Sequence, residues 1–504
     1  MAWNRERLES VVRDRIGGAK LVVVANREPY LHTFDGEAIR CSRPASGLTT
    51  ALDPVMRTCG GTWVAHGSGD ADRVVSDRYG RVKVPPEDPS YTIRRVWLTK
   101  EEEQGYYYGF ANEGLWPLCH IAYARPRFDS ADWVQYRHVN QKFADAILDE
   151  LDGESGVVFV QDYHFALLPR MLRNARPDLV IVQFWHIPWP NREAFRVCPW
   201  QDDILDGLLG NDLLSFHVQD HCNNFLETVD RSTESRVDME RFSVTRSGKT
   251  TLVQPHPISI DPEAIAASLP IDLDAAERRL RKRLRLGGEK LIVGVDRVDY
   301  TKGIPERFRA VDRLLQRHPE LKTTFSFVQI GAPSRVHIPA YRRLNEELNE
   351  LADEINWRHA IDGWRPIVFL NEHCGADEIY VLDRLATACV VSSLHDGMNL
   401  VAKEFVSTRT DGRGVLVLSR FTGAARELSD AVLINPYAID EFAEALRLAL
   451  TMTAEEQEHR MTSMRTVIAD NNVYRWAGML LSEASKLFQA RQLAETRSSL
   501  EVPA

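Results

Sequence analysis

In Ser393-Leu394-His395-Asp396-Gly397-Met398-Asn399-Leu400-Val401-Ala402-Lys403-Glu404, a carboxylate, a glycine and an asparagine fall on what reads as a strand-to-helix turn. The apolar run Ala388-Cys389-Val390-Val391 before it has the character of a strand buried on both faces, and Val401, Phe405 and Val406 after it recur with helical spacing. Open α/β sheets bind ligands outside the carboxyl ends of their strands, at turns of this kind. The helix start also offers unpaired backbone N–H groups to an anionic or hydroxyl-rich ligand. Glu404 follows Asp396 by two helical turns, too far to share a proton with it, so the two carboxylates suit two sets of hydroxyls, as in a sugar nucleotide. On this segment alone a capped, ordinary surface helix fits as well.

The same motif of a short apolar run ending in polar residues recurs along the chain. Leu21–Ala25 ends at Asn26-Arg27, Val157–Val160 at Gln161-Asp162-Tyr163-His164, Val180–Phe184 at Trp185-His186, and Leu213–Phe216 at His217. Helix-period segments, such as Phe143–Leu151 and Leu167–Leu172, lie between them, which is βαβ logic. The pattern restarts after Pro257-Ile258-Ser259-Ile260-Asp261-Pro262, with runs at 291–295, 325–330, 388–391, 415–418 and 432–434. The reading is α/β: residues 1–258 form one Rossmann-like domain, 259–470 a second, and 471–504 a closing helix that packs back on the first, frayed after about Glu495. Residues 28–46 and 66–103, rich in Gly, Pro and charge, read as loops, and Glu277–Arg285 as a solvated helix face.

Composition agrees with two domains: 504 residues exceed what one ordinary core serves. With 44% hydrophobic and 27% charged residues the chain has a globular balance, and its net charge of −10 argues against a nucleic-acid partner. No run approaches a membrane span, and the charged N-terminus lacks a secretory apolar core. The seven cysteines are scattered without a CxxC pair, so no disulfide framework or zinc site is expected and a cytoplasmic setting is.

Arg297 and Lys302, in Val295-Asp296-Arg297-Val298-Asp299-Tyr300-Thr301-Lys302-Gly303, follow a buried run in the same half as Asp396. A diphosphate leaving group gathers negative charge as its bond to sugar breaks, and a fixed guanidinium plus an ammonium stabilises that charge; an ordinary surface pair remains the other reading. There is no GxSxG, HExxH or GxxxxGK[ST] segment. Histidines 164, 186, 217 and 395 stand near run ends, with no partner at metal-ligand spacing. Tyr106-Tyr107-Tyr108-Gly109-Phe110 with Trp116 reads either as core or as the lining of a sugar or phosphate site.

Five segments together resemble trehalose-6-phosphate synthases and their relatives: Asp162-Tyr163-His164; Phe184-Trp185-His186-Ile187-Pro188-Trp189-Pro190; Gly207-Leu208-Leu209-Gly210; Asp299–Phe308; and Asp396–Glu404. The resemblance runs from about Leu21 to Leu487. It implies two facing Rossmann-like domains (the GT-B architecture) with an inter-domain active-site cleft, and retaining transfer of glucose from a nucleotide-diphosphate glucose, UDP- or GDP-glucose, to a sugar phosphate. No metal, cofactor or covalent protein intermediate is implied. Arg297 and Lys302 would hold the donor diphosphate, joined by the backbone of Leu400 and Val401. Asp396, Gly397, Met398 and Asn399 would hold the glucose hydroxyls, and Glu404 the ribose. Gly47 would lie in a loop closing on the diphosphate, and His186 beside the donor glucose. Asp162 would bind acceptor hydroxyls, and Arg27, Tyr107, Trp116 and Arg335 the acceptor phosphate. Asp162, His186, Arg297, Lys302 and Asp396 are the implied catalytic set.

The departures from the family pattern cluster on the acceptor side. Ser46 replaces the first of two adjacent glycines, His66 stands where a tryptophan is usual, Gln161 replaces a histidine, and His395 replaces an arginine. Asn26-Arg27-Glu28-Pro29-Tyr30 is similar to glucosylglycerol-phosphate synthases of the same family. The favoured product is trehalose 6-phosphate from glucose 6-phosphate. Glycerol 3-phosphate as acceptor is the first alternative, and a catalytically silent sugar-phosphate-binding regulator the second. A separate phosphatase is expected to act downstream. Oligomeric state, including a homo-oligomer, is left open.

Overall fold

The computed structural model describes residues 3–15, 19–44 and 47–500, with 494–500 described by backbone alone. The chain divides into two compact units, Met1–Ile258 with Val473–Ala504, and Ser259–Asn472.

The first unit is built on a ten-stranded sheet. Its parallel centre runs, in spatial order, Lys249–Pro255, Leu213–Phe216, Val180–Phe184, Gly156–Gln161, Lys20–Val24, Thr62–His66 and Tyr91–Val96. Antiparallel strands close both edges: Arg81–Val84 at one, Ser243–Arg246 and Arg236–Asp238 at the other. The chain leaves Lys20–Val24 toward one edge and returns to its other side at Gly156–Gln161. The topological switch point therefore lies at the ends of these two strands, the default ligand position in such sheets. Val22, Val23, Val24, Val157, Val158 and Val160 are buried, as strands covered on both faces require. Helix Ser130–Leu151 contains the first helix-period segment, and helix Leu168–Ala175 takes up the second from the residue after Leu167, its N-cap.

The second unit has six strands, all parallel, in the order Ile367–Leu370, Phe325–Ala332, Lys290–Arg297, Ala388–Val391, Val415–Ser419, Val432–Ile434. Numbered along the chain this is 3-2-1-4-5-6, the dinucleotide-binding order. Its switch point lies between Lys290–Arg297 and Ala388–Val391. Helix Ile304–Arg317 covers the sheet through Phe308, Val311 and Leu314, which share one core with Leu348, Phe442 and Leu446.

Helix Val473–Leu500 belongs with the first unit. Trp476 packs against Phe159 and Phe184, with ring centroids 5.8 and 5.2 Å apart, and Arg491 pairs with Asp212. The backbone stays helical to Leu500 rather than fraying after Glu495. Two stretches read as loops hold strands. Residues 28–46 carry the hairpin Leu31–Asp35 and Ala38–Ser42, and 66–103 carry Arg81–Val84 and Tyr91–Val96. Ala38–Ser42 is exposed almost throughout, so backbone pairing holds it without the alternation that marks a half-buried strand. Among the described residues no helix is long and apolar enough to cross a membrane.

Candidate active site

In the second unit the two loops of the switch point are stitched together. Gly303 turns the first loop into helix Ile304–Arg317 with φ +63°, and a Cβ there would strike the Ser392 carbonyl oxygen. Leu394 N–H donates to the Thr301 carbonyl at 2.7 Å, and Ser392 Oγ to that of Gly303 at 2.8 Å. These bonds bring Lys302 and Asp396 together: Lys302 Nζ donates to Asp396 Oδ2 at 2.6 Å. Ser393 Oγ and Asn399 Nδ2 each donate to that same oxygen at 3.2 Å. A carboxylate oxygen held by three donors has its orientation fixed.

Asn399 caps helix Leu400–Thr408, its side chain accepting from Ala402 N–H at 3.1 Å. Its backbone is at φ +90°, which turns the chain sharply before Leu400 and Val401 enter the first helical turn. Gly397 and Met398 are backed by the segment after Val415–Ser419: Gly423 N–H donates to the Asp396 carbonyl and Ala424 N–H to that of Met398, at 3.1 and 3.0 Å. Any Cβ at Gly423 would strike the Gly397 carbonyl oxygen. Deeper on the same helix stands Glu404, whose carboxyl burial pushes up to about 7.

Arg297 ends strand Lys290–Arg297 and is half-buried. Arg335, placed by resemblance at an acceptor phosphate, has its side chain almost wholly buried, with Nη1 on Asp299 Oδ2 at 3.2 Å and on the Tyr341 hydroxyl at 2.6 Å. Tyr341 and Thr301 also donate to Asp299. Burial pushes the Asp299 carboxyl up, but Arg335 and Arg297 outweigh it and hold the group below its ordinary range. The sequence reading named Arg335 and missed its partner, which lies 36 residues away.

In the first unit the predicted residues gather at its own switch point. Arg27 follows strand Lys20–Val24, and its Nη2 donates to the Tyr107 hydroxyl at 3.3 Å. Tyr107 stacks on His164, centroids 5.5 Å apart and planes 10° from parallel. The Tyr-rich segment forms a π-helical stretch, Gln104–Leu115, ending at Trp116, whose ring lies 5.9 Å from that of Tyr163. Asp162 follows strand Gly156–Gln161 at φ +73°; its Oδ1 accepts from Tyr163 N–H at 2.9 Å and His186 N–H at 3.2 Å. His186 Nε2 lies 2.9 Å from Gln161 Oε1, and burial pushes its imidazole down to about 3, so it is neutral. His66, at the end of Thr62–His66, is buried and pushed down to about 4 for the same reason. Gly47 starts helix Gly47–Cys59 and is exposed; Ser46 lies outside the described residues.

Behind Arg27 lies a buried cluster that the sequence reading did not find. Arg95 Nε donates to Glu28 Oε2 at 2.8 Å, its Nη2 reaches Asp72 Oδ1 at 2.8 Å, and Ser68 N–H donates to Glu28 at 3.0 Å. One guanidinium serves two buried carboxylates, and burial together with Asp72 pushes the Glu28 carboxyl up. The partners are 23 to 67 residues apart and carry no local pattern. Among the described residues no group of His, Cys, Asp and Glu is arranged to hold a metal ion.

The chain matches the model of glycosyltransferase family 20 over residues 19–486. It is 38% identical over 482 residues to a trehalose-6-phosphate synthase of Mycolicibacterium vanbaalenii, covering 93% of this chain and 96% of that protein. A second such synthase, of Mycolicibacterium smegmatis, is 35% identical over 97% of this chain and 96% of its own. Among solved structures, one from E. coli described as bound with UDP-2-fluoro glucose superposes with a TM-score of 0.83 at 32% identity, covering 93% of this chain and 99% of that one. An α,α-trehalose-phosphate synthase (UDP-forming) from Burkholderia xenovorans, in complex with glucose-6-phosphate, gives 0.81 at 32%, covering 92% and 100%.

Proposed function

Since the chain belongs to glycosyltransferase family 20, we infer that it moves glucose, with retention, from a nucleotide-diphosphate glucose to glucose 6-phosphate, forming trehalose 6-phosphate. The observation that carries this reading is the Lys302–Asp396 pair at the start of helix Leu400–Thr408. An ammonium and a helix N-terminus together favour a diphosphate, and the adjacent oriented carboxylate accepts from sugar hydroxyls. We assign Arg297 to the same diphosphate, Gly397, Met398 and Asn399 to the glucose, Glu404 to the ribose, and Gly47 to the loop over the donor. UDP-glucose is our choice of donor, supported by the nucleotide of the E. coli structure.

For the acceptor we assign Asp162 to its hydroxyls and Arg27, Tyr107, Trp116 and Arg335 to its phosphate. Guanidiniums with phenol and indole donors match a phosphate dianion. Charge stabilisation at the leaving diphosphate, rather than a protein nucleophile, lowers the barrier. The departing phosphate takes the proton of the incoming hydroxyl, and the protein supplies position and charge. Glycerol 3-phosphate is the competing acceptor, and buried His66, where the resemblance leads one to expect a tryptophan, is a place to look for the choice. The test offers UDP-, GDP- and ADP-glucose against glucose 6-phosphate and glycerol 3-phosphate, with products identified by mass. Trehalose phosphate from UDP-glucose is expected. Glucosylglycerol phosphate alone would replace the acceptor, and sugar-phosphate binding without any product would replace the enzyme by a sensor.

A further inference from the structure

Gln161 closes strand Gly156–Gln161, fully buried, and no side-chain pattern in the sequence assigns it a task. Its amide oxygen lies 2.9 Å from His186 Nε2, while its amide nitrogen is buried with no hydrogen-bond partner. Buried donors without a partner are rare in folded proteins and call for a reason. His186 is held at every other polar point of its backbone. Its N–H donates to Asp162 Oδ1 at 3.2 Å, and its carbonyl lies 3.0 Å from His217 Nε2. The ring packs between Phe184 and His217, with centroids 4.6 and 5.6 Å away. No described residue hydrogen-bonds its Nδ1.

We propose that Gln161 is a positioning residue that fixes His186 as the Nε2–H tautomer and leaves the Nδ1 lone pair to accept a hydroxyl of the donor glucose. A neutral imidazole carries one N–H, and the hydrogen bond made by one nitrogen decides the state of the other. An amide oxygen at 2.9 Å accepts, so Nε2 carries the hydrogen and Nδ1 does not. An amide does this at every working pH. The tautomer stands on the geometry alone; the hydroxyl it accepts rests on the function proposed above.

The test is nitrogen NMR of protein labelled with ¹⁵N-histidine, the His186 ring being identified by the signals lost in His186→Gln. A pyrrole-type Nε2 and a pyridine-type Nδ1 in the native protein are expected; a pyrrole-type Nδ1 overturns the proposal. Because this spectrum needs no turnover, it decides the point even if the glucosyl transfer is wrong. Gln161→Leu removes the acceptor at similar volume. It should mix or invert the tautomers and lower kcat on the order of 10-fold, as loss of an orienting partner does, with the acceptor KM held. Gln161→Glu keeps an acceptor oxygen and should restore the Nε2–H signal and most of kcat. Unchanged ring signals and kcat in Gln161→Leu would refute the positioning role. Should Gln161→Leu fail to fold, the native and Gln161→Glu spectra still decide.

Discussion

Glu404→Gln should make this protein more stable at alkaline pH and a weaker binder of its donor. Burial raises the Glu404 carboxyl from 4.5 to about 7. At 1.36 kcal/mol per pH unit, that displacement corresponds to about 3 kcal/mol. The sign follows from proton linkage: a carboxyl whose folded value lies above its unfolded one imposes no penalty below pH 4.5, where both states are protonated. The penalty grows as pH rises and is complete above pH 7. Glutamine fills the same space without the charge. At pH 8 the variant should melt several degrees higher, taking about 2–4 °C per kcal/mol for a unit of this size as the upper scale. At pH 4.5 the two melting points should agree. Donor binding moves the other way. Ribose hydroxyls bond a carboxylate more strongly than an amide by about 1–1.5 kcal/mol, so donor KM should rise about 10-fold at pH 8. The native donor KM should fall as pH rises through 7, and that fall should vanish in the variant. Differential scanning fluorimetry at the two pH values, with initial-rate kinetics across the range, makes the check. Equal melting points at pH 8 would refute the buried charge, and an unchanged donor KM would refute the ribose contact.

Three further substitutions probe the remaining assignments. Arg297→Ala should cut turnover about 100-fold or more while acceptor KM holds, as expected for a lost stabiliser of developing charge; steady-state kinetics showing native turnover would remove it from the diphosphate. Arg335→Ala should raise acceptor KM more than donor KM. It should also destabilise the second unit at neutral pH by about 3 kcal/mol, because Asp299 loses its ion pair in a buried position. That loss should shrink as pH falls through the depressed Asp299 value, since only the ionised carboxylate misses the guanidinium; a melting-point difference independent of pH would contradict this. Gly423→Ala should cost about 1–3 kcal/mol and weaken donor binding, because the added methyl displaces the Gly397 carbonyl oxygen; a silent substitution, by calorimetry and donor KM, would show that the turn has room.

Much of this architecture is legible in the sequence because its strands are buried on both faces. Val22–Val24, Val157–Val160 and Ala388–Val391 need continuous apolar runs, and such runs ending in polar residues mark the switch points directly. Asp396, Asn399 and Glu404 are legible for a related reason: one strand, one turn and one helix carry them in a single segment. What stays hidden is what depends on chain pairing without burial or on distance along the chain. Ala38–Ser42 is mostly exposed and Arg236–Asp238 has no fully buried residue; both are held by backbone bonds. The His186–Gln161 contact spans 25 residues and the Arg95–Glu28 pair spans 67, so no periodicity announces either. Arg335 shows the same limit: its resemblance to a phosphate ligand is visible in the sequence, its burial against Asp299 and Tyr341 is not.

Proton NMR of the product formed from UDP-glucose and glucose 6-phosphate tests the central claim most directly. A phosphorylated disaccharide whose single glycosidic bond joins two α-configured anomeric carbons is predicted, showing both the acceptor and retention at the transferred glucose. A β-anomeric signal would contradict the retaining reaction, and no disaccharide phosphate at all would contradict the assignment of Lys302, Asp396 and Arg297 to glucosyl transfer.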